Sequence, residues 1–129
     1  MTEPPNVLIV DDSTAIRKIL IRVLNQTHLA LGEVLEAGDG KEALGILQGH
    51  RISLILSDIN MPNMDGIELL RTVRASEQWR DVPVVLITTE GAQARVREAA
   101  ELGATSYVRK PFSADQLRDK LAGLLTRRP

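Results

Sequence analysis

Three carboxylates, one hydroxyl and one ammonium group directly follow apolar segments of the chain. If they were drawn together, the carboxylates would repel one another and resist ionisation unless a counter-charge lay nearby. A hard divalent cation such as Mg²⁺ supplies that charge, because it takes oxygen ligands from one or two carboxylates and from phosphate groups. A carboxylate can also attack phosphorus and form an aspartyl phosphate. The residues concerned are Asp11, Asp12, Asp58, Thr88 and Lys110.

Phosphoryl transfer to a carboxylate needs little beyond positioning and charge neutralisation, and these side chains match both needs. Asp58 is the candidate nucleophile, Lys110 offers a compact positive charge, and Thr88 offers a hydroxyl donor. Each residue alone has an ordinary explanation: a turn at Asp58, a surface lysine, a strand-forming threonine. Their joint occurrence at successive strand ends favours a site.

The apolar segments predict five strands. Val7–Val10, 54–56 and 83–87 are apolar without interruption, which is typical of strands covered on both faces in a parallel sheet. The segments 33–37 and 105–109 are more polar and predict edge strands. Because ligands bind beyond the carboxyl ends of such strands, we expect the reactive groups to converge there.

A helix is predicted after each strand from apolar side chains spaced three and four residues apart. Ser13 or Thr14 can cap the first helix, Asp39 with Glu42 opens the second, and 113–116 forms a capping-box pattern before the fifth. The fourth helix is predicted over about 91–102. Five strand–helix repeats over about 6–126 favour one α/β domain, 1–129, with a doubly wound parallel sheet.

Composition excludes several classes of function. The 16 basic and 17 acidic residues give a net charge of -1, so no nucleic-acid or membrane surface is expected. The absence of cysteine excludes disulfides, thiolate metal sites and a cysteine nucleophile. No apolar run approaches the roughly 20 residues of a membrane span, and the polar start lacks a signal core. A cytoplasmic protein is therefore expected.

Taken together, these residues resemble the receiver domain of bacterial two-component response regulators, in particular the single-domain, CheY-like chemotaxis type. The resemblance covers nearly the whole chain. It rests on the Asp11-Asp12 pair, the segment 57–62, Asp65-Gly66, Thr88 and Lys110-Pro111. It implies a flavodoxin-like (βα)5 fold with the strand order 2-1-3-4-5.

The resemblance also implies roles at the site. Asp58 matches the phosphoacceptor and Asp12 the acid that binds Mg²⁺ directly. Asp11 matches the acid that acts through metal-bound water, and Asn60 would offer its backbone carbonyl to the metal. Receivers catalyse only their own phosphorylation and autodephosphorylation, so an enzyme in the usual sense is not expected.

Further roles concern the switch and the lifetime of the signal. Thr88 and Lys110 match the groups that sense the phosphoryl, with a cis bond expected before Pro111, and Tyr107 matches the switch aromatic. Asn60 and Glu90 match the pair that helps set autodephosphorylation by positioning water. The position after Thr88 is a departure, since Thr89 is larger than the residue of the chemotaxis protein and could hinder access to the phosphoryl group.

The implied partners are a sensor histidine kinase and a downstream target that binds the face formed by the fourth helix, the fifth strand and the fifth helix. A monomer is expected. A phosphate sink, a phosphorelay intermediate and a receiver cut from a longer regulator remain open. Two further alternatives are a phosphate-independent adaptor and a haloacid-dehalogenase-type phosphatase, although the latter places its nucleophile after the first strand with a second Asp two residues on.

Overall fold

The computed structural model describes residues 3–89 and 93–126, in which strands and helices alternate. The strands are β1 (Val7–Val10), β2 (Val34–Ala37), β3 (Leu54–Asp58), β4 (Val84–Thr88) and β5 (Ser106–Arg109). The helices are α1 (Thr14–Gln26), α2 (Gly40–Gly49), α3 (Gly66–Ala75), α4 (Gln93–Glu101) and α5 (Ala114–Thr126). The predicted order of elements is confirmed.

The strands form one parallel sheet in the order β2-β1-β3-β4-β5. The strand order implied by the resemblance is thus confirmed, and the two polar segments are edge strands as predicted. β3 and β4 extend beyond the apolar runs, because Asp58 pairs with Ile87 and Thr88 with Arg109. Asp58 and Thr88 are therefore the last strand residues rather than the first loop residues, and the sheet fixes their backbones.

Side-chain alternation along the strands divides the core into two layers. On one face, Leu8, Ile55 and Leu86 pack in a cluster with residues of α2, α3 and α4. On the other face, Ile9 and Leu56 belong to a cluster formed with α1 and α5. Both faces of the central strands are buried, which explains why these strands are continuously apolar in sequence.

Local hydrogen bonds at the helix starts agree with the predicted caps. The Ser13 side chain accepts from an amide of α1, and the Asp39 side chain does so in α2. The predicted capping box at α5 is present, with Ser113 and Gln116 bonded reciprocally. A second box, formed by Asp65 at the start of α3, was not predicted.

The fourth helix ends as predicted, but part of its start lies outside the described residues. α4 is described from Gln93, so the predicted positions Gly91 and Ala92 are not covered. After Glu101 the chain reverses through Gly103, whose φ of 100° is in the left-handed region that favours glycine. Among the described helices, none is long and apolar enough to cross a bilayer.

Candidate functional site

The three acids predicted to act together lie at the carboxyl edge of the sheet. β1 and β3 are neighbours, and their register pairs Val10 with Ser57. Asp11 and Asp58, the next residues, therefore reach the sheet edge side by side. One carboxylate oxygen from each of Asp11, Asp12 and Asp58 lies within 4.8 Å of the other two. A single cation placed among these oxygens would lie close to all three groups.

Asp11 is the most buried of these acids, with 2% of its surface exposed. Its Oδ1 accepts a hydrogen bond from the Ser13 amide at 2.9 Å. Its Oδ2 is buried and has no hydrogen-bond partner among the described residues. Burial raises the pKa of Asp11, while the Ser13 amide and the Lys110 charge oppose that rise. An unsatisfied buried oxygen costs free energy, so this atom favours a ligand with positive charge.

Asp58 is half-buried at the end of β3. Its Oδ1 accepts a hydrogen bond from the Ile59 amide at 2.8 Å, which fixes the orientation of the carboxylate. Burial raises the pKa of Asp58; the Lys110 charge lowers it, and the neighbouring Asp11 raises it further. The three carboxylates thus carry more negative charge than the Lys110 ammonium group neutralises.

These observations fit a hard divalent cation. The candidate ligand atoms are all carboxylate oxygens, and they lie close together. Asp11 Oδ2 has no hydrogen-bond donor among the residues that the structure describes. Burial raises the pKa values of both Asp11 and Asp58. A bound cation that favours their ionised forms would offset the desolvation cost of burying these carboxylates. Mg²⁺ suits such a site because it binds through few carboxylates and retains waters.

Lys110 directly follows β5, and Thr88 is the last residue of β4. The Lys110 Nζ lies 3.9 Å from Asp11 Oδ2, which is within ion-pair range but too long for a hydrogen bond. The Lys110-Pro111 peptide bond is cis, as the resemblance implies. Thr88 is 4% exposed, and its hydroxyl donates to the adjacent Thr89 carbonyl at 3.2 Å. Both groups lie at the sheet edge that carries the acids.

The comparison with protein families identifies the family to which the chain belongs. Residues 7–122 match the model of the response regulator receiver domain. The chain belongs to this family. A chemotaxis protein CheY homolog of Campylobacter jejuni is 40% identical over 119 residues, which cover 92% of this chain and 90% of that protein. Chemotaxis protein CheY of Pseudomonas aeruginosa is 39% identical over 121 residues, covering 94% and 96%.

Solved structures of receivers have the same fold. The chemotaxis response regulator CheY4 of Vibrio cholerae has a TM-score of 0.83 and 36% identity, covering 95% of this chain and 100% of that one. A putative response regulator of Chloroflexus aurantiacus has a TM-score of 0.88 and 29% identity, covering 97% and 100%.

Family membership establishes the general function. Receivers are signalling proteins rather than classical enzymes, and their signal depends on phosphorylation. They bind Mg²⁺ at a cluster of aspartates and interact with histidine kinases and downstream targets.

Tyr107 of this receiver lies on the surface. The residue is 43% exposed, and the Lys120 Nζ lies 5.5 Å from the centre of its ring. A cavity of about 250 Å³ has both Thr88 and Tyr107 in its wall. The space between the sheet edge and the aromatic ring is therefore available to a side-chain rearrangement.

The residues predicted to influence dephosphorylation are only partly described. Asn60 is exposed two residues after β3, beside the acids. Thr89 is exposed and directly follows β4. Glu90 lies outside the described residues.

Arg17 supports the loop that carries Asp11, and no role was predicted for this residue from the sequence. The Arg17 guanidinium donates to the Asp11 carbonyl at 2.6 Å and to Glu36 Oε1 at 2.9 Å. Its side chain is only 16% exposed. The available signal was its spacing, since Arg17 precedes the buried Leu20 and Leu24 by three and seven residues. A cation at a core position of an amphipathic helix indicates a polar partner beneath it.

Gly66, which the sequence linked to the site only through the family resemblance, has a direct structural role at the start of α3. A Cβ at this position would lie 2.2 Å from the Asp58 carbonyl oxygen and 2.9 Å from Ile59 Cα. The Gly66 amide also donates to the Ile59 carbonyl at 2.8 Å. The start of α3 therefore packs directly on the backbone of the candidate acceptor.

Proposed function

We propose that this chain, as one receiver unit over 1–129, accepts a phosphoryl group from a sensor histidine kinase on Asp58. The observation that carries the proposal is the meeting of three carboxylates within 4.8 Å, beside the Lys110 ammonium group. Family membership supplies the class of reaction. The similarity to CheY proteins over at least 90% of their length supports a role in chemotaxis.

Asp58 acts as the nucleophile. Because the Ile59 amide holds Oδ1, we assign the attack on the phosphoryl donor to the second carboxylate oxygen. A bond forms between that oxygen and phosphorus, while the bond from phosphorus to the imidazole nitrogen of the kinase breaks and its electron pair remains on the leaving nitrogen. This self-phosphorylation, with later hydrolysis of the acyl phosphate, is the only chemistry assigned to the chain.

The surrounding groups neutralise charge and orient the phosphoryl. Lys110 pairs with Asp11 before transfer and is close enough to shift towards a phosphoryl oxygen afterwards. The Thr88 hydroxyl can exchange its weak bond to the Thr89 carbonyl for a phosphoryl oxygen. When bound, Mg²⁺ would be held by Asp11, Asp12, Asp58 and the backbone carbonyl of Asn60, and it would neutralise charge on carboxylate and phosphoryl oxygens.

The signal is a population shift that reaches the surface formed by α4, β5 and α5. Movement of Thr88 towards the phosphoryl group enlarges the space behind it, and Tyr107 turns from the surface into that space. A groove of about 730 Å³, lined by residues of β5 and α5 that include Tyr107 and Lys120, lies in this face. The downstream protein binds there, to a monomeric cytoplasmic receiver, without nucleic acid or membrane.

Asn60 and Glu90 are proposed to position water for autodephosphorylation, and Thr89 to slow access to the phosphoryl group. A phosphate sink or relay intermediate would use the same chemistry. Phosphotransfer from the cognate kinase and back to it would distinguish those roles. A phosphate-independent adaptor predicts no phosphorylation at all.

Mass spectrometry after incubation with acetyl phosphate and Mg²⁺ tests the proposal. We expect one added phosphoryl mass in the wild type, and none after chelation or in Asp58→Asn. Asp81→Asn is the matched control, because Asp81 is exposed near the opposite edge of the sheet, before β4. An unchanged yield in Asp58→Asn would reject Asp58 as the acceptor, and turnover of small phosphomonoesters would favour a phosphatase.

A further inference from the structure

The loop between β3 and α3, residues 59–65, is tied to a distant part of the chain. Asn63 Nδ2 donates to Asp39 Oδ2 at 2.7 Å, across 24 positions of sequence. The Gly40 amide donates to the Met64 carbonyl at 3.0 Å. Asp39 and Gly40 form the start of α2. Two hydrogen bonds therefore join the loop after Asp58 to the amino end of a neighbouring helix.

Asp39 uses its two oxygens for different partners. Oδ1 accepts from the Glu42 amide at 2.9 Å and caps α2, whereas Oδ2 accepts from Asn63. The residue is 8% exposed, so water competes little for these bonds. The Glu42 amide and the Asn63 side chain hold the pKa of Asp39 below its usual value. An ionised acceptor makes the bond to Asn63 a strong one.

The conformation of Asn63 suits this contact. Its φ is 66°, in the left-handed region, which asparagine tolerates better than most residues. Close packing accompanies the bond, because a Cβ at Gly40 would lie 2.5 Å from Met64 Cγ. At the far end of the loop, the Gly66 amide donates to the Ile59 carbonyl. The loop is thus fixed on both sides of Asn60.

We propose that Asp39 and Asn63 are positioning residues that hold the 59–65 loop in the conformation needed for Mg²⁺ binding. The inference rests on the proposed function, in which the Asn60 backbone carbonyl is a metal ligand. Neither side chain is among the proposed metal ligands or among the groups proposed to contact the phosphoryl group. A backbone carbonyl cannot be reoriented by side-chain rotation, so its position depends on the loop that this hydrogen bond holds. The hydrogen bond therefore sets the Mg²⁺ concentration at which the receiver becomes able to accept a phosphoryl group.

Two substitutions separate the bond from the other duties of these residues. Asn63→Gly keeps access to the left-handed region but removes the donor. Asp39→Ser keeps an oxygen that can cap α2 but removes the one that accepts from Asn63. Loss of a partner that orients a metal ligand typically weakens metal affinity about 10–100-fold. We expect each variant to need about tenfold more Mg²⁺, and the double variant to need no more than the worse single variant.

The measurements are Mg²⁺ titration of the Ile59 and Asn60 amide signals by NMR, and the rate of phosphorylation by acetyl phosphate against Mg²⁺ concentration. The half-saturating concentration should rise in both, while the rate at saturating Mg²⁺ stays within about threefold of wild type because the reacting groups are intact. Asn25→Gly makes the same chemical change near the end of α1, away from the site, and should lower thermal stability without moving the Mg²⁺ midpoint.

The outcomes are distinct. Variants that melt earlier yet keep the wild-type Mg²⁺ midpoint would overturn the positioning role and leave a purely structural contact. A double variant with the product of the single effects would show that the two residues act separately, which also overturns it. If the wild type binds Mg²⁺ but takes no phosphoryl group, the proposed function fails while the NMR titration still decides the positioning role. Absence of Mg²⁺ binding in the wild type overturns both.

Discussion

Replacement of Gly66 by alanine is expected to damage stability and phosphorylation together. Alanine normally stabilises a helical position relative to glycine by about 0.5–1 kcal/mol. Here the added Cβ would lie 2.2 Å from the carbonyl oxygen of Asp58, a backbone atom that cannot move aside like a flexible side chain. Separations below 3.0 Å are essentially never seen for a real Cβ. The backbone must therefore open by at least 0.8 Å, the difference between these two distances.

The magnitude follows from the opposing effects. Overpacking of this kind costs about 1–3 kcal/mol, which outweighs the helical preference for alanine. At about 3–5 °C per kcal/mol for a domain of this size, the melting temperature should fall by roughly 5–10 °C. Because the displaced atom belongs to the candidate acceptor, a shift near 1 Å can lower the rate of phosphorylation by up to about 100-fold.

Gly45→Ala provides the matched control. Gly45 lies within α2, and a Cβ there would meet nothing within 4 Å. This variant should gain about 0.5–1 kcal/mol and keep the wild-type rate. Thermal melts and acetyl phosphate kinetics on both variants form the assay. If Gly66→Ala melts at or above the wild type, or keeps its rate, then the close approach to Asp58 does not govern the acceptor and the reasoning is refuted.

Three further predictions concern charge. The folded state raises the pKa of Asp58 above 3.8, so the ionised form of Asp58 opposes folding at neutral pH. Asp58→Asn should therefore raise the melting temperature of the metal-free protein by a few degrees near pH 7. An equal gain near pH 3.5 would contradict this explanation. The pKa of Glu36 is lowered from 4.5 by Lys18 and Arg17, so its stabilisation exists above that pH and is lost on acidification. In urea unfolding, Glu36→Gln should lower the free energy of unfolding by about 0.5–1 kcal/mol near pH 7 and by almost nothing near pH 3. A loss of stability that persists near pH 3 would indicate a packing effect instead. Arg17→Lys retains the charge but loses the fork that holds the Asp11 carbonyl, so calorimetry should show several-fold weaker Mg²⁺ binding, whereas Lys18→Ala should leave it unchanged.

The hydropathy pattern predicted most of the fold because helices cover both faces of the sheet. Val7–Val10 is fully buried, which accounts for its continuous apolar pattern. The same apolar pattern predicted that β3 ends at Leu56, whereas the strand continues to Asp58. Ser57 and Asp58 are polar, yet hydrogen bonding to β4 keeps them in the strand. Pairing with a neighbouring strand is a tertiary effect that a local pattern of polarity does not contain.

The acids of the site were predictable because the carboxyl ends of parallel strands meet at one edge. The supporting contacts were not. Arg17 meets Glu36 across 19 positions, and Asn63 meets Asp39 across 24. Neither pair has a characteristic spacing, and each depends on how a helix sits against the sheet. The strand order itself came from family resemblance rather than from the pattern of elements.

The shortness of the outer strands has a consequence for self-association. β2 and β5 have four residues each, and each carries a charged side chain, Glu36 and Arg109 respectively. The margin of an open sheet is an edge strand with unpaired backbone groups, to which another polypeptide can add as a further strand. Edge strands that are short and carry charged side chains are less prone to this pairing. Beyond β5, Pro111 has no amide hydrogen to offer an incoming strand. A signalling molecule can thus leave this margin accessible to targets while remaining a poor template for aggregation.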